Sequence, residues 1–219
     1  MAPPLKSLRW RRSLATKVLN RLKEKDPNPK CELYHESPYQ LLVSVVLSAQ
    51  TTDKMVNRCM EPLYKKGFTP ESVVKLGQAG LLEQIKSIGL APTKSKNVIA
   101  LTKIIIKDYK GSIPKSRKGL EALPGVGKKT ASVILGEVFG EPTLAVDTHV
   151  YRVGKRLGLH EEEAPDKAEK VLLDVVAESL RPKAHHWFIL LGRYTCKAKK
   201  PLCSECQVRE FCPSKKFFS

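Results

Sequence analysis

The sequence predicts an all-α fold of about ten helices of modest length. Apolar residues recur every three or four positions along most of the chain, whereas the alternating apolar–polar pattern of strands is nearly absent. Helix-start signals are also frequent, because Ser37-Pro38 and Thr69-Pro70 each place a proline at the favoured first position of an apolar run. Such a chain is expected to pack helix on helix, with short turns between them.

The predicted helices follow one another along the whole chain. The first carries Leu14, Val18 and Leu22 behind the candidate N-cap Ser13. Later helices are predicted to start at or just after Ser37, Asp53, Thr69, Thr93, Lys129, Asp147, Pro165 and Pro182, with stop signals at Gly111 and Gly140. The segment "DPNP" (26–29) is predicted to be a linker or a sharp turn.

The charge of the chain predicts a polyanionic partner. Lys and Arg number 39 and Asp and Glu 22, which gives a net charge of +17 and a pI near 9.7. Nucleic acid is the simplest partner for such a protein, although charge alone leaves open a ribosome-associated or membrane-surface protein. No apolar run approaches the roughly 20 residues of a membrane span, and the basic first 25 residues lack the apolar centre of a secretory signal.

The stretch "LPGVGKKTA" (123–131) is predicted to be a glycine turn between two helices. Gly125 and Gly127, on either side of Val126, tolerate positive φ and leave backbone N–H groups uncovered at the start of a helix. Such N–H groups bind anions, and a DNA phosphate fits them without regard to base sequence. A tight turn with no ligand is the alternative.

Two lysines, Lys128 and Lys129, follow the turn and are candidates for a nucleophilic amine. A neighbouring cation, the helix N-terminus and partial burial would each lower the pKa of a lysine, and a neutral amine can form a Schiff base with a sugar carbon. The alternative is that both lysines only contact phosphate. Helical periodicity favours Lys129 only slightly.

Asp147 in "AVDTHVYRVGKR" precedes the next predicted helix and is a candidate N-cap. A capping carboxylate is held rigid and ionised. It could therefore also stabilise positive charge developing on a sugar ring, or accept a proton from the lysine.

The sequences "LPGVGKKTA" and "AVDTH", with the carboxylate eighteen residues after the second lysine, resemble the helix-hairpin-helix DNA glycosylase superfamily, and most closely its endonuclease III branch. The resemblance runs from about residue 13 to residue 213. It implies that Lys129 is the nucleophile and Asp147 the catalytic carboxylate. It also implies DNA contacts by a set of residues comprising Gln50, Leu90, Gly125, Val126, Gly127, Lys128, His149, Lys199 and Lys200.

Four of the six cysteines lie within residues 196–212, in the pattern Cys196-x6-Cys203-x2-Cys206-x5-Cys212. By spacing alone, four thiolates there could hold either a zinc ion or a [4Fe–4S] cluster. The resemblance implies the cluster, because the same spacing binds [4Fe–4S] in endonuclease III and its adenine-glycosylase relatives. We expect this cluster to be mainly structural, since so short a loop cannot bury a core of its own.

The segments "LSAQTTD" (47–53) and "SIGLAP" (87–92) carry the two residues that the resemblance places among the bases. Gln50 would enter the space left by a flipped nucleotide, and Leu90 would act as a wedge on the opposite strand. Many relatives have an aromatic or bulky polar residue after this leucine, whereas this chain has Ala91 and Pro92.

These observations predict a bifunctional DNA glycosylase and abasic-site lyase that removes oxidised pyrimidines from duplex DNA. Two helical lobes would enclose a DNA-binding cleft: residues 31–141 as a six-helix barrel with the helix-hairpin-helix, and residues 1–30 plus 142–219 as an iron–sulfur domain. We expect a monomer that does not associate with a membrane. It would be cytoplasmic and associated with the nucleoid if it is bacterial, although mitochondrial or nuclear targeting stays open. The alternatives are a monofunctional adenine glycosylase, which would lack Lys129, and a non-catalytic DNA-binding module, which would be expected to lose Lys129 or Asp147.

Overall fold

The computed structural model describes residues 7–217, and the regular secondary structure of that range is entirely helical, with no strand. The α-helices within it are α1 (Leu8–Lys25), α2 (Pro38–Ser48), α3 (Asp53–Tyr64), α4 (Pro70–Ile85), α5 (Ala91–Tyr109), α6 (Arg117–Glu121), α7 (Lys128–Phe139), α8 (Thr148–Arg156), α9 (Pro165–Val175) and α10 (Arg181–Leu190). A π-helical turn, Leu191–Thr195, continues α10, and short 3₁₀ turns follow in the C-terminal loop. Among the described residues, no helix is both long and apolar enough to cross a membrane.

The chain divides into two compact units. Cys31–Phe139 form one unit, which contains α2 to α7, and the described residues up to Lys30 and from Gly140 onward form the other. The sequence prediction placed this boundary near residue 141.

The unit formed by Cys31–Phe139 packs its helices around the apolar helix α2. Leu42, Val43 and Leu47 of α2 are fully buried together with residues of the surrounding helices, such as Val56 and Ile134. Each such aliphatic side chain contributes roughly 1.5–3 kcal/mol when it is removed from water. This core therefore supplies a rigid support for the loops at the ends of its helices.

The second unit has a separate core, to which α1, α8, α9 and α10 each contribute. Val18, Val150, Leu172 and Phe188 are fully buried there. Trp187 is also buried, and its indole Nε1 donates a hydrogen bond of 2.8 Å to the carbonyl of Asp26. That bond ties the segment after α1 to α10.

Three predicted helix starts are confirmed. Ser37 and Thr69 accept hydrogen bonds from the backbone of Gln40 and Ser72, and a proline follows each cap. Asp147 caps α8. At these sites the capping side chain and the apolar run after it point to the same start, so local sequence was sufficient.

Other predicted starts were wrong by a few residues. The first helix begins behind Ser7 rather than Ser13, because the intervening Leu, Trp and Arg residues continue the helix. Thr52, not Asp53, caps α3 and accepts from the backbone N–H of Met55 at 3.2 Å.

The helix α5 also begins earlier than predicted. It starts at Ala91 rather than after Thr93. Leu90 at the N-cap position has an aliphatic side chain that cannot cap the helix, and its backbone angles are left-handed (φ 61°, ψ 28°). The helix ends at Tyr109, and the left-handed residues Lys110 and Gly111 follow it, as the predicted stop required.

Candidate active site

The glycine turn of "LPGVGKKTA" joins α6 to α7, as predicted. Its backbone closes through a hydrogen bond of 3.0 Å from the N–H of Val126 to the carbonyl of Leu123, and both side chains are buried. The helices are also linked by the Arg117 guanidinium, whose nitrogens donate to Ser132 Oγ at 3.1 and 3.2 Å. The turn is therefore held from both sides while the start of α7 faces solvent.

The two glycines of the turn differ in their backbone requirement. Gly125 has a φ of +81°, and a Cβ there would lie 3.0–3.3 Å from atoms of the Asn97 side chain. Gly127 does not have positive φ, and a Cβ there would meet no atom within 4 Å. Gly125 is thus required by the fold, whereas Gly127 leaves an open approach to the helix start.

Lys128 and Lys129 are the first two residues of α7, so the helix starts one residue earlier than predicted. Both are exposed, and the partial burial expected for the nucleophile is absent at Lys129 in the free protein. Their backbone N–H groups belong to the first turn, where no carbonyl of the helix itself can accept from them. Two ammonium groups and several N–H donors consequently share one accessible helix start.

Burial lowers the pKa of Lys94 from its ordinary value. Lys94 is only 4% exposed, and its Nζ donates a hydrogen bond of 2.6 Å to the carbonyl of Ala49. A buried, hydrogen-bonded amine cannot reach a substrate. Lys94 is therefore not a rival to Lys129 as the nucleophile.

Asp147 is half-buried behind a buried apolar segment, Leu144 to Val146. Its Oδ1 accepts hydrogen bonds from the backbone N–H groups of His149 at 2.8 Å and Val150 at 2.7 Å. Both bonds go to the same oxygen, so Oδ2 takes part in neither of them. The carboxylate is held rigid with a second oxygen that capping does not use.

The four cysteines of the C-terminal loop line one cavity. Cys196, Cys203, Cys206 and Cys212 are each half-buried, none is in a disulfide, and apolar residues such as Val153, Leu157 and Leu191 complete the lining. Burial raises the pKa of the Cys206 thiol and raises that of Cys212 to about 11, so iron binding must release protons from these thiols.

Four thiol donors around a common apolar space fit an iron–sulfur cluster. Within residues 7–217, no three His, Cys, Asp or Glu side chains lie close enough together to hold a single metal ion. The cavity lining, which joins all four cysteines, is therefore the observation on which the fit rests.

Two arginines of α8 anchor this loop, and the sequence analysis did not identify them. The Arg156 guanidinium donates to Cys196 Sγ at 3.3 Å and to the carbonyls of Lys197 and Ala198 at 2.7 and 2.8 Å. Arg152 donates to the carbonyls of Cys196 at 3.0 Å and Gly192 at 2.8 Å. Their spacing of four on the helix that Asp147 caps was the available signal.

His149 lies beside the same turn. Its Nδ1 is 3.2 Å from Arg152 Nη2, and it is half-buried. A Cβ added at Gly192 would lie 2.9 Å from the Cβ of His149, so the close approach of the π-helical turn requires that glycine. Lys199 and Lys200 are exposed in the loop between Cys196 and Cys203, where a contact to DNA stays a prediction.

Gln50 and Leu90 are both exposed residues of loops in the Cys31–Phe139 unit. Leu90 is 57% exposed, so its side chain is accessible to a partner. Both have positive φ, 56° for Gln50 and 61° for Leu90, a conformation that residues other than glycine rarely adopt. The loops are thus strained at the two residues that were predicted to contact bases.

Several known proteins are similar to this chain. Residues 43–178 match the family described as HhH-GPD superfamily base excision DNA repair protein, and residues 196–212 match the iron–sulfur binding domain of endonuclease III. Endonuclease III of Rickettsia conorii is 47% identical over 199 residues, which cover 91% of this chain and 95% of the relative.

Two solved structures share the fold and 38% of the sequence, each covering 94% of this chain and 97% of the solved chain. They are a non-covalent endonuclease III–DNA complex, with a TM-score of 0.87, and a trapped endonuclease III–DNA covalent intermediate, with a TM-score of 0.86.

Proposed function

Because the chain belongs to the endonuclease III family within the HhH-GPD superfamily of base excision DNA repair proteins, we propose that it is a bifunctional DNA glycosylase and abasic-site lyase. Its substrates are oxidised or ring-saturated pyrimidines in duplex DNA, and abasic sites. The observation that carries the proposal is the exposed Lys129 at the start of α7, directly after a glycine turn suited to phosphate.

The reaction begins when the neutral amine of Lys129 attacks C1′ of the damaged nucleotide. The C1′–N bond breaks, and the base leaves with its electron pair and takes up the proton that the attacking amine loses. Asp147 stabilises the positive charge that develops on the sugar, because the backbone N–H groups of His149 and Val150 hold its carboxylate in place. A carboxylate already oriented in this way needs no reorganisation during the reaction.

Breakage of the C1′–O4′ bond then opens the sugar ring and leaves a protonated Schiff base between C1′ and the Lys129 nitrogen, which makes a C2′ proton acidic. Loss of that proton and breakage of the C3′–O3′ bond cut the strand 3′ to the lesion, and hydrolysis of the Schiff base returns Lys129 as an amine. Backbone N–H groups after Gly127 and the ammonium of Lys128 bind phosphate during these steps.

The protein holds a [4Fe–4S] cluster through Cys196, Cys203, Cys206 and Cys212. The bound cluster supplies a cross-link for a loop that has almost no regular structure of its own. Lys199 and Lys200, presented by this loop, contact the DNA backbone. The protein acts as a monomer in the cytoplasm, on nucleoid DNA if it is bacterial.

Borohydride reduction with an abasic duplex tests the proposal. The wild-type protein is expected to form a covalent adduct with the DNA, and peptide mapping is expected to place the adduct on Lys129. Lys129→Ala should abolish the adduct and retain DNA binding, whereas Lys128→Ala should still be trapped, with weaker binding. A monofunctional glycosylase or a DNA-binding module would give no adduct with the wild-type protein, and an adduct on Lys128 would refute the assignment within the pair.

A further inference from the structure

A buried lysine lies behind the two loops that carry Gln50 and Leu90. The backbone N–H of Lys94 donates to the carbonyl of Leu90 at 3.0 Å, and its side-chain Nζ donates to the carbonyl of Ala49 at 2.6 Å. One residue therefore bonds to Leu90 itself and to the residue directly before Gln50.

The two loops also approach each other closely. A Cβ added at Gly89 would lie 3.6 Å from the carbonyl oxygen of Gln50, which is ordinary van der Waals distance. Ala49 is the C-cap residue of α2, so the ammonium of Lys94 lies at the negative end of that helix dipole. The geometry and the charge together favour a fixed arrangement of the two loops.

Packing alone does not account for a lysine at this position. Burial of an ammonium group costs free energy, and burial lowers the pKa of Lys94 accordingly. A methionine of similar length could fill the space without that cost. What the lysine adds is a charged donor that reaches the backbone of the neighbouring loop.

We propose that Lys94 is a positioning residue that fixes the Gln50 loop to the Leu90 loop, so that both side chains enter the duplex as one rigid element. This inference rests on the proposed function, in which Gln50 and Leu90 contact bases. Lys94 itself touches neither the sugar nor the base. Its contribution is to keep two strained, exposed loops in register while a nucleotide is held outside the stack.

The test compares Lys94→Met with Lys96→Met, which changes an exposed lysine two residues along the same helix. Single-turnover excision of a paired, stacked lesion and cleavage of a ready-made abasic site are measured for both variants. Lys94→Met should slow lesion excision about tenfold, because small misplacements of positioning groups are costly, and should change abasic-site cleavage less than about twofold. Lys96→Met should leave the ratio of the two rates at its wild-type value.

Fluorescence of 2-aminopurine placed opposite the lesion measures unstacking of that base directly. At saturating protein, a merely less stable variant would still give the wild-type signal. The rise in fluorescence on binding, which reports unstacking, should be smaller for Lys94→Met at saturating protein. An unchanged ratio of rates together with an unchanged fluorescence rise would overturn the proposal.

A double-mutant cycle of Gln50→Ala and Leu90→Ala covers the case in which Lys94→Met does not fold. If the loops act as one element, the double variant should lose little more lesion excision than the worse single variant. Fully additive losses would overturn the inference. A wild-type protein that neither excises lesions nor forms the borohydride adduct would instead refute the proposed function.

Discussion

Replacing Asp147 separates its role as a helix cap from its proposed role in base release. Both backbone N–H groups, of His149 and Val150, donate to the single oxygen Oδ1. Asp147→Asn keeps an acceptor at that position and replaces Oδ2 with an amide nitrogen. Asp147→Ala removes the acceptor entirely. The two variants therefore differ in the cap but share the loss of the carboxylate charge.

The expected magnitudes follow from these hydrogen bonds. Asn caps a helix about as well as Asp, so its stability cost is limited to the lost interaction with the helix dipole, about 0.3–1 kcal/mol. Ala additionally leaves two N–H groups without their acceptor and should cost about 1–2 kcal/mol, which is roughly 2–8 °C in Tm for a chain of this size. Loss of the charge should remove about 2–4 kcal/mol of transition-state stabilisation in both variants, a factor of about 30 to 1000 in rate.

The assay pairs thermal unfolding, followed by circular dichroism, with single-turnover release of an oxidised pyrimidine. Both variants should lose base release to a similar extent, while only Asp147→Ala should show a clear fall in Tm. Near-normal base release by Asp147→Asn would leave Asp147 as a helix cap alone. Equal stability of Asn and Ala would refute the reasoning from Oδ1.

Three further predictions concern the hairpin, the basic loop and the cluster. Gly125→Ala should destabilise the protein by about 1–2 kcal/mol in urea unfolding, because residue 125 has positive φ. Gly127→Ala should keep the stability and weaken duplex binding. A larger loss of stability for Gly127→Ala than for Gly125→Ala would contradict this assignment. Neutralising Lys199 and Lys200 together should weaken binding to every duplex alike and lower the salt slope by about 0.9 for each phosphate that the protein no longer neutralises, and an unchanged slope would show that they do not bind phosphate. Cys203→Ser should lower the iron content below the roughly four atoms per chain of the wild type. It should lower Tm clearly while base release by the folded protein changes little. Stoichiometric zinc in anaerobically purified wild-type protein would refute the cluster.

The sequence by itself determined the fold class, several helix starts and the principal chemical groups. The helix starts at Ser37, Thr69 and Asp147 were correctly predicted, because an N-cap depends on one side chain and the N–H groups two or three residues later. The cysteine spacing is likewise a local property, and the match of residues 196–212 to an iron–sulfur binding domain agrees with it. The roles of Lys129 and Asp147 were predicted from the resemblance and stay predictions.

Tertiary structure decided features that depend on residues distant in sequence. The close approach of Asn97 requires glycine at position 125, whereas no atom approaches position 127, and the motif makes both glycines look alike. Arg156 reaches Cys196 across 40 residues, and Lys94 reaches Ala49 across 45. No periodicity encodes such interactions, because they depend on which helices pack together rather than on the spacing within one helix. The same holds for the left-handed backbone of Leu90, which has no side-chain cap and is bonded instead to a lysine that also binds the neighbouring loop.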